Sequence, residues 1–207
     1  MKYELRAIET KFDGHLFRSR LEARWAVFFD ALKIPYSYER EGYDLDGIWY
    51  LPDFWMPQQD CFIEIKPDKP TKIEERKASR LALASGKSVF VFSGDILVPD
   101  AYDSDSVTSA ERYFAESDDR GDCECCTDAP YCWCECYQCG ALGIRFEGRS
   151  DRLPCRQCYD CARGMPCGKC GEKCKRTGGN CDRGHSADSL RLTTAYILAR
   201  MERFGVR

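Results

Sequence analysis

No stretch of this 207-residue chain approaches the roughly 18 uninterrupted apolar residues that a membrane-crossing helix needs, so no such helix is expected. The opening MKYELRAIETKFDG has neither the apolar centre nor the small-residue cleavage site of a secretion signal. There is no excess of positive charge either: 31 Lys and Arg against 34 Asp and Glu leave a formal net charge of −3, which does not announce a nucleic-acid partner. The 15 cysteines make an odd number, and with no secretion signal they argue against a disulfide framework. These absences together predict a soluble, cytoplasmic protein with no membrane partner. Its length suits one ordinary domain plus a smaller appendage.

The charge that is present is unevenly placed. Residues 100 to 128 carry ten acids against two bases, whereas residues 140 to 185 carry ten bases against five acids. All cysteines except Cys61 fall between Cys123 and Cys181. The chain therefore divides into residues 1–98, an acidic connector over 99–122, and a cysteine-rich module over 123–207 that ends in a helix.

Hydrophobic periodicity orders the first part. Phe17, Leu21, Trp25, Phe28, Phe29 and Leu32 recur at helical spacing and predict an amphipathic helix over residues 16 to 33, with Glu22 beside its apolar stripe. YSYERE, 36 to 41, alternates as a strand does, and IWYLPDF continues as a second strand after the turn-prone GYDLDG. Pro52 removes a ladder donor, which puts Asp53 at a strand end, edge or bulge. CFIEIK alternates as a third strand, with Glu64 and Lys66 on one face and Cys61, Ile63 and Ile65 on the other. Thr71 and Glu74 have capping-box spacing for a helix ending near Gly86, and SVFVFSG reads as a buried strand. The order is αβββαβ, an α/β class. In the connector a short helix is expected near 108 to 117. A final helix is expected over 189 to 204, with Asp188 as N-cap and Leu190, Thr194, Ile197 and Met201 as its stripe.

Asp53 and Glu64, on neighbouring strands, supply the hard oxygen ligands that Mg²⁺ or Mn²⁺ prefers, and one or two carboxylates suffice when waters and a substrate phosphate fill the remaining positions. Lys66 shares the face of Glu64 and would hold its ammonium against the charge that develops in a phosphodiester hydrolysis. Glu22 would complete the shell through a water. Taken singly, Glu-x-Lys on a strand is most often a solvated sheet face. Arg18, Arg20 and Arg24 flank Glu22, and Arg18 or Arg20 is the expected phosphate contact. His15 reads as a surface residue.

The combination of these residues on this element order resembles the PD-(D/E)XK nuclease superfamily, through Pro52, Asp53, Glu64 and Lys66. FRSRLEARWAVFF, YLPDF and FIEIK, with CYQCGALGIRFEGRSDRLPC and LTTAYILARMERF towards the C-terminus, are similar to a phage-encoded branch often seen in actinobacteriophages. The resemblance implies a restriction-endonuclease-like core. It also implies Asp53 and Glu64 as metal ligands, Lys66 as the catalytic lysine and Glu22 as the accessory carboxylate. A deoxyribonuclease, endonuclease before exonuclease, is the implied activity, acting in the cytoplasm of a bacterial host cell. DNA is the expected partner, with RNA and a homodimer as open alternatives. The rival reading is a non-catalytic zinc-stabilised factor, binding DNA or protein, on an inactive nuclease core.

In the cysteine block, Cys136-x2-Cys139 and Cys155-x2-Cys158 form paired knuckles of zinc-ribbon type. Cys167, Cys170, Cys181 and His185 make a second grouping, and Cys123, Cys126, Cys132 and Cys134 a third, so two or three structural zinc ions are expected. The block holds few large apolar side chains and is expected to fold only with metal bound. An iron–sulfur cluster is the competing occupant. Arg149 and Arg152 lead the basic residues expected to hold a nucleic-acid backbone, although bases there also offset the negative charge of zinc thiolates.

Overall fold

The structure, a computed structural model, describes residues 7–99, 108–113, 131–136, 140–146 and 185–205. It opens with a hairpin, β1 (Thr10–Phe12) and β2 (His15–Phe17), turned by Asp13 and Gly14, both at positive φ. An Asp-Gly pair is the sequence that such a two-residue turn favours. The hairpin displaces the expected start of the first helix: α1 spans Arg20–Leu32, and its N-cap Ser19 accepts from the Glu22 amide.

The segment expected as one second strand is two elements that serve different partners. β4 (Tyr43–Asp44) and β5 (Trp49–Tyr50) form a separate small hairpin, while β6 (Phe54–Met56) joins the main sheet. Pro52 lies at the break, as its missing amide dictates. Of the alternating residues 36 to 41, only β3 (Ser37–Tyr38) pairs, against β6. β7 (Cys61–Lys66) is antiparallel to β6 and parallel to β8 (Ser88–Ser93), and α2 (Lys72–Ser85) makes the crossover. Thr71 and Glu74 form the predicted capping box, and Gly86 closes the helix in the left-handed conformation.

The expected helix near 108 to 117 is, over its described part, strand β9 (Ala110–Tyr113). Beside β7, the other edge of β8 needs a hydrogen-bonding partner, and β9 supplies it in antiparallel register from Val89↔Tyr113 to Phe92↔Ala110. β10 (Tyr131–Cys136) continues the sheet and pairs with β11 (Leu142–Phe146) and β12 (His185–Ser186). The strand order is β11-β10-β9-β8-β7-β6-β3, with β12 paired to β10, a mixed sheet in an α/β architecture. It passes through residues on both sides of the acidic connector.

Two cores flank the sheet. Cys61, Ile63 and Ile65 face α1 and the last helix, α3 (Leu190–Met201), whereas Phe62, Val89 and Val91 pack with Ala78, Leu81 and Ala82 of α2. The predicted alternation of CFIEIK is thus realised, with Glu64 and Lys66 on the α2 side. The first core is strongly aromatic: the Phe28 ring lies 4.4 Å from Tyr196 and 6.0 Å from Trp133. A fully buried Leu or Phe contributes about 1.5–3 kcal/mol by burial.

α3 buries a different face from the expected one. Leu192, Ala195, Tyr196 and Ala199 point inward, while Leu190 and Met201 are 83% and 71% exposed. Small residues allow close approach to α1, and the one large inward ring, Tyr196, fills the gap. Ser189, not Asp188, is the N-cap; its hydroxyl accepts from Leu192 and donates to Glu135 Oε2 at 2.6 Å. Arg191 donates to the Leu32 carbonyl at the end of α1 (3.0 Å) and to Gly140 O (3.1 Å), which ties α3 to both helix and sheet. No helix among the described residues is long and apolar enough to cross a membrane.

Candidate active site

Asp53 immediately precedes β6, and Glu64 lies in the adjoining β7. Their relation is fixed by the backbone: the Asp53 amide donates to Glu64 Oε2 (3.2 Å), and Asp53 Oδ2 accepts from the Ile65 amide (2.7 Å). Both carboxylates are buried, 2% and 4% exposed. Burial, and then the neighbouring charges of Glu64 and Glu22, push the Asp53 carboxyl well above the usual carboxylate range, against the opposing pull of the Ile65 amide and Arg18. Carboxylates perturbed in this way cluster at functional sites.

Lys66 sits between two acids, its Nζ 2.7 Å from Glu64 Oε1 and 3.4 Å from Glu74 Oε1. Burial lowers its ammonium, but Glu64, Asp53 and Glu74 outweigh that and raise it, so it is cationic at neutral pH. Glu74 has a second task in the α2 capping box, where Oε2 accepts from the Thr71 amide and hydroxyl, each at 2.8 Å.

Glu22, 7% exposed in the first turn of α1, is held from three sides. Its carboxylate accepts from Ser19 Oγ (2.7 Å), the Tyr38 hydroxyl (2.6 Å) and the Arg18 amide (3.2 Å). Burial and the bond to Glu22 push the Tyr38 phenol upward, which keeps it a donor. The Arg18 side chain reaches Asp53 Oδ1 through Nη2 and Glu39 Oε1 through Nε (2.6 Å).

Beside these groups opens a cavity of about 340 Å³ lined by Arg18, Trp49, Tyr50, Glu64, Lys66 and Lys77, among others. Tyr50 is buried there, its phenol raised by burial and by the carboxylates of Glu64 and Asp53. Among the described residues, no three carboxylate, imidazole or thiol groups form a ready-made metal cluster. Asp53 and Glu64 still fit a hard divalent cation as a two-carboxylate site completed by waters and phosphate. A cation entering it has to take Asp53 Oδ1 from Arg18.

The four residues singled out as catalytic, Glu22, Asp53, Glu64 and Lys66, are thus linked with the half-exposed Arg18 in one network. Arg20 is half-buried at the start of α1 and does not line the cavity; Arg24 pairs with Asp95 at 3.5 Å. His15 is exposed. Sequence reasoning passed over Tyr38, Glu39, Glu74, Trp49 and Lys77. For Glu74 there was a signal, since the acid of a capping box begins a helix directly after the Lys66 strand.

Of the metal ligands expected in the cysteine block, Cys123, Cys126, Cys139, Cys155, Cys158, Cys167, Cys170 and Cys181 lie outside the described residues, as do Arg149 and Arg152. Cys132 and Cys134 are buried on β10 with their sulfurs 3.7 Å apart. The β10–β12 register sets Cys136 directly opposite His185, two residues whose spacing had assigned them to separate groupings.

Compared with family models, curated proteins and solved structures, the chain matches none of them.

Proposed function

We propose that this protein is a Mg²⁺- or Mn²⁺-dependent nuclease that hydrolyses phosphodiester bonds in DNA, as its resemblance to the PD-(D/E)XK superfamily implies. The observation that carries the reading is the buried Asp53–Glu64–Lys66 network, in which burial and the neighbouring carboxylates disfavour the charged form of Asp53. A purely structural cluster gains little from two adjacent buried carboxylates, because each raises the cost of ionising the other.

A divalent cation held by Asp53 and Glu64 would supply charge neutralisation and polarisation of the phosphoryl group. Lys66 supplies a fixed ammonium beside the same carboxylates, where negative charge grows on the phosphoryl oxygens. Glu22, oriented by Ser19 and Tyr38, holds a water on the α1 side of the site. Arg18 occupies Asp53 before substrate arrives and turns to the phosphate afterwards. The cysteine-rich segment binds structural zinc, with an iron–sulfur cluster as the competing occupant, and its basic residues hold the nucleic-acid backbone.

The test is cleavage of single-stranded, duplex and branched DNA, with an RNA arm, by wild type, Asp53→Ala and Lys66→Ala in Mg²⁺ and Mn²⁺. Wild type cuts at least one substrate and both variants lose at least about a hundred-fold in rate. Circular dichroism and metal content confirm that the variants fold. Equal cutting by the variants would overturn the assignment of Asp53 and Lys66, and retained DNA binding with no cutting of any substrate by wild type would favour the non-catalytic factor.

A further inference from the structure

Trp49 stands out among the residues that line the cavity because it is 66% exposed. An exposed indole offers a large flat apolar face to a ligand, and here that face borders a charged cavity. It is also not loose. A Cβ added at Gly42 would overlap the indole, so the ring lies directly against the Gly42 backbone, and only glycine permits that approach. One side of the ring is thereby fixed while much of its surface stays open, in the same cavity as Glu64 and Lys66.

Arg18, Lys66 and Lys77 line the cavity with Trp49, and the carboxylates Glu64 and Glu74 there are both paired with Lys66. Lys77 makes no ion pair among the described residues, and its Nζ lies 6.0 Å from the centre of the neighbouring Tyr50 ring. An aromatic plane beside a cation that no carboxylate among the described residues holds is the arrangement that binds single-stranded nucleic acid: the base stacks and the backbone meets the cation. A base within a duplex has both faces covered by its neighbours and can stack on Trp49 only after leaving the helix.

We infer that Trp49 is a stacking platform for an unpaired nucleobase next to the carboxylates, with Lys77 on the adjoining phosphate. The substrate class is therefore single-stranded or frayed DNA in preference to continuous duplex. This inference rests on the nuclease reading for the position of the phosphate, but its test does not depend on cleavage.

The experiment measures binding by fluorescence anisotropy, using the full-length protein with Ca²⁺ in place of Mg²⁺. The probes are fluorescein-labelled oligothymidylate and a blunt duplex. Wild type binds the single strand more tightly. Trp49→Ala weakens single-strand binding about 5- to 100-fold and leaves duplex binding nearly unchanged, whereas Trp49→Phe retains most of the affinity. Gly42→Ala, which displaces the indole without removing it, gives the same selective loss. Intrinsic fluorescence supplies an independent readout: Trp25 and Trp133 are fully buried and Trp55 is partly buried against Phe62, so in a Trp55→Phe background the quenching by the single strand is largely lost on adding Trp49→Ala. Unchanged single-strand affinity in Trp49→Ala, equal loss on both probes, or a wild-type preference for duplex overturns the inference. Stacking-dependent binding in a protein that cuts nothing in Mg²⁺ overturns the nuclease reading and supports this one.

Discussion

The guanidinium of Arg18, just ahead of α1, lies on the carboxylate of Asp53, 35 residues further along the chain. Arg18 is half-exposed at that point while Asp53 is buried, so a solvent-facing cation covers a buried carboxyl group.

Arg18 and a divalent cation compete for Asp53 Oδ1. Arg18→Ala should bind Mg²⁺ more tightly than wild type, by roughly two- to five-fold given the partial exposure of the pair. The same variant should bind DNA more weakly. Calorimetric titration with Mg²⁺ checks the first outcome; weaker Mg²⁺ binding in Arg18→Ala would mean that Arg18 supports the site.

The pH dependence follows from Asp53. Its carboxyl is raised in the folded state by burial and by Glu64 and Glu22, so the folded protein holds this proton more tightly than the unfolded chain. Its contribution to metal-free stability is complete below the unfolded value of about 3.9 and is lost as pH rises through the higher folded value. Binding a divalent cation displaces the proton, so the rise in Tm on adding Mg²⁺ should grow with pH across that window. Thermal melts with and without Mg²⁺ between about pH 5 and about pH 8 measure it, and Asp53→Asn should flatten the trend. An Mg²⁺ effect independent of pH in wild type contradicts the assignment.

Tyr196 is fully buried, and its hydroxyl has no hydrogen-bond partner among the described residues. Burial, and next Cys132 and Cys134, push its phenol well up. Leaving a buried hydroxyl unsatisfied costs about 1–3 kcal/mol. Tyr196→Phe keeps the ring against Phe28 and removes that cost, so it should raise stability by about 1 kcal/mol in denaturant melts. A loss of similar size would show that the hydroxyl is bonded.

The sulfurs of Cys132 and Cys134, 3.7 Å apart, are spaced as two thiolates on one tetrahedral ion would be, about 3.8 Å for zinc–sulfur bonds of about 2.3 Å. Cys132→Ser with Cys134→Ser should release one equivalent of metal on elemental analysis and lower Tm. Visible absorption in the wild-type protein would identify the metal as iron. Unchanged metal content would assign the pair to the core alone.

The acidic centre was legible where chemistry and local periodicity coincide. Glu64 and Lys66 share a face because a strand alternates, and Pro52 set Asp53 at the mouth of a strand. Arg18–Asp53 and Tyr38–Glu22 were not legible, because no local pattern encodes a contact that exists only once hairpin, helix and sheet edge have met. β9 was misread for a related reason: AERY has no strong preference, and the unfilled edge of β8 decided its conformation. On α3, counting large apolar residues selected Leu190, Ile197 and Met201. Close packing against α1 instead selected two alanines, Leu192 and Tyr196. Periodicity locates an apolar face by size, whereas the partner surface chooses it by fit.

The packing of α3 on α1 bears on how the protein is made. A ribosome that has released residues up to 98 has delivered Glu22, Asp53, Glu64 and Lys66, yet Phe28 and Phe29 still lack Trp133 and Tyr196. Contacts this distant in sequence are slow to form, because the intervening loop must close before they stabilise anything. Between residue 98 and Tyr196 the nascent chain thus carries its acidic centre without the complete aromatic wall behind it. Docking of α3 on α1 completes the core behind that centre.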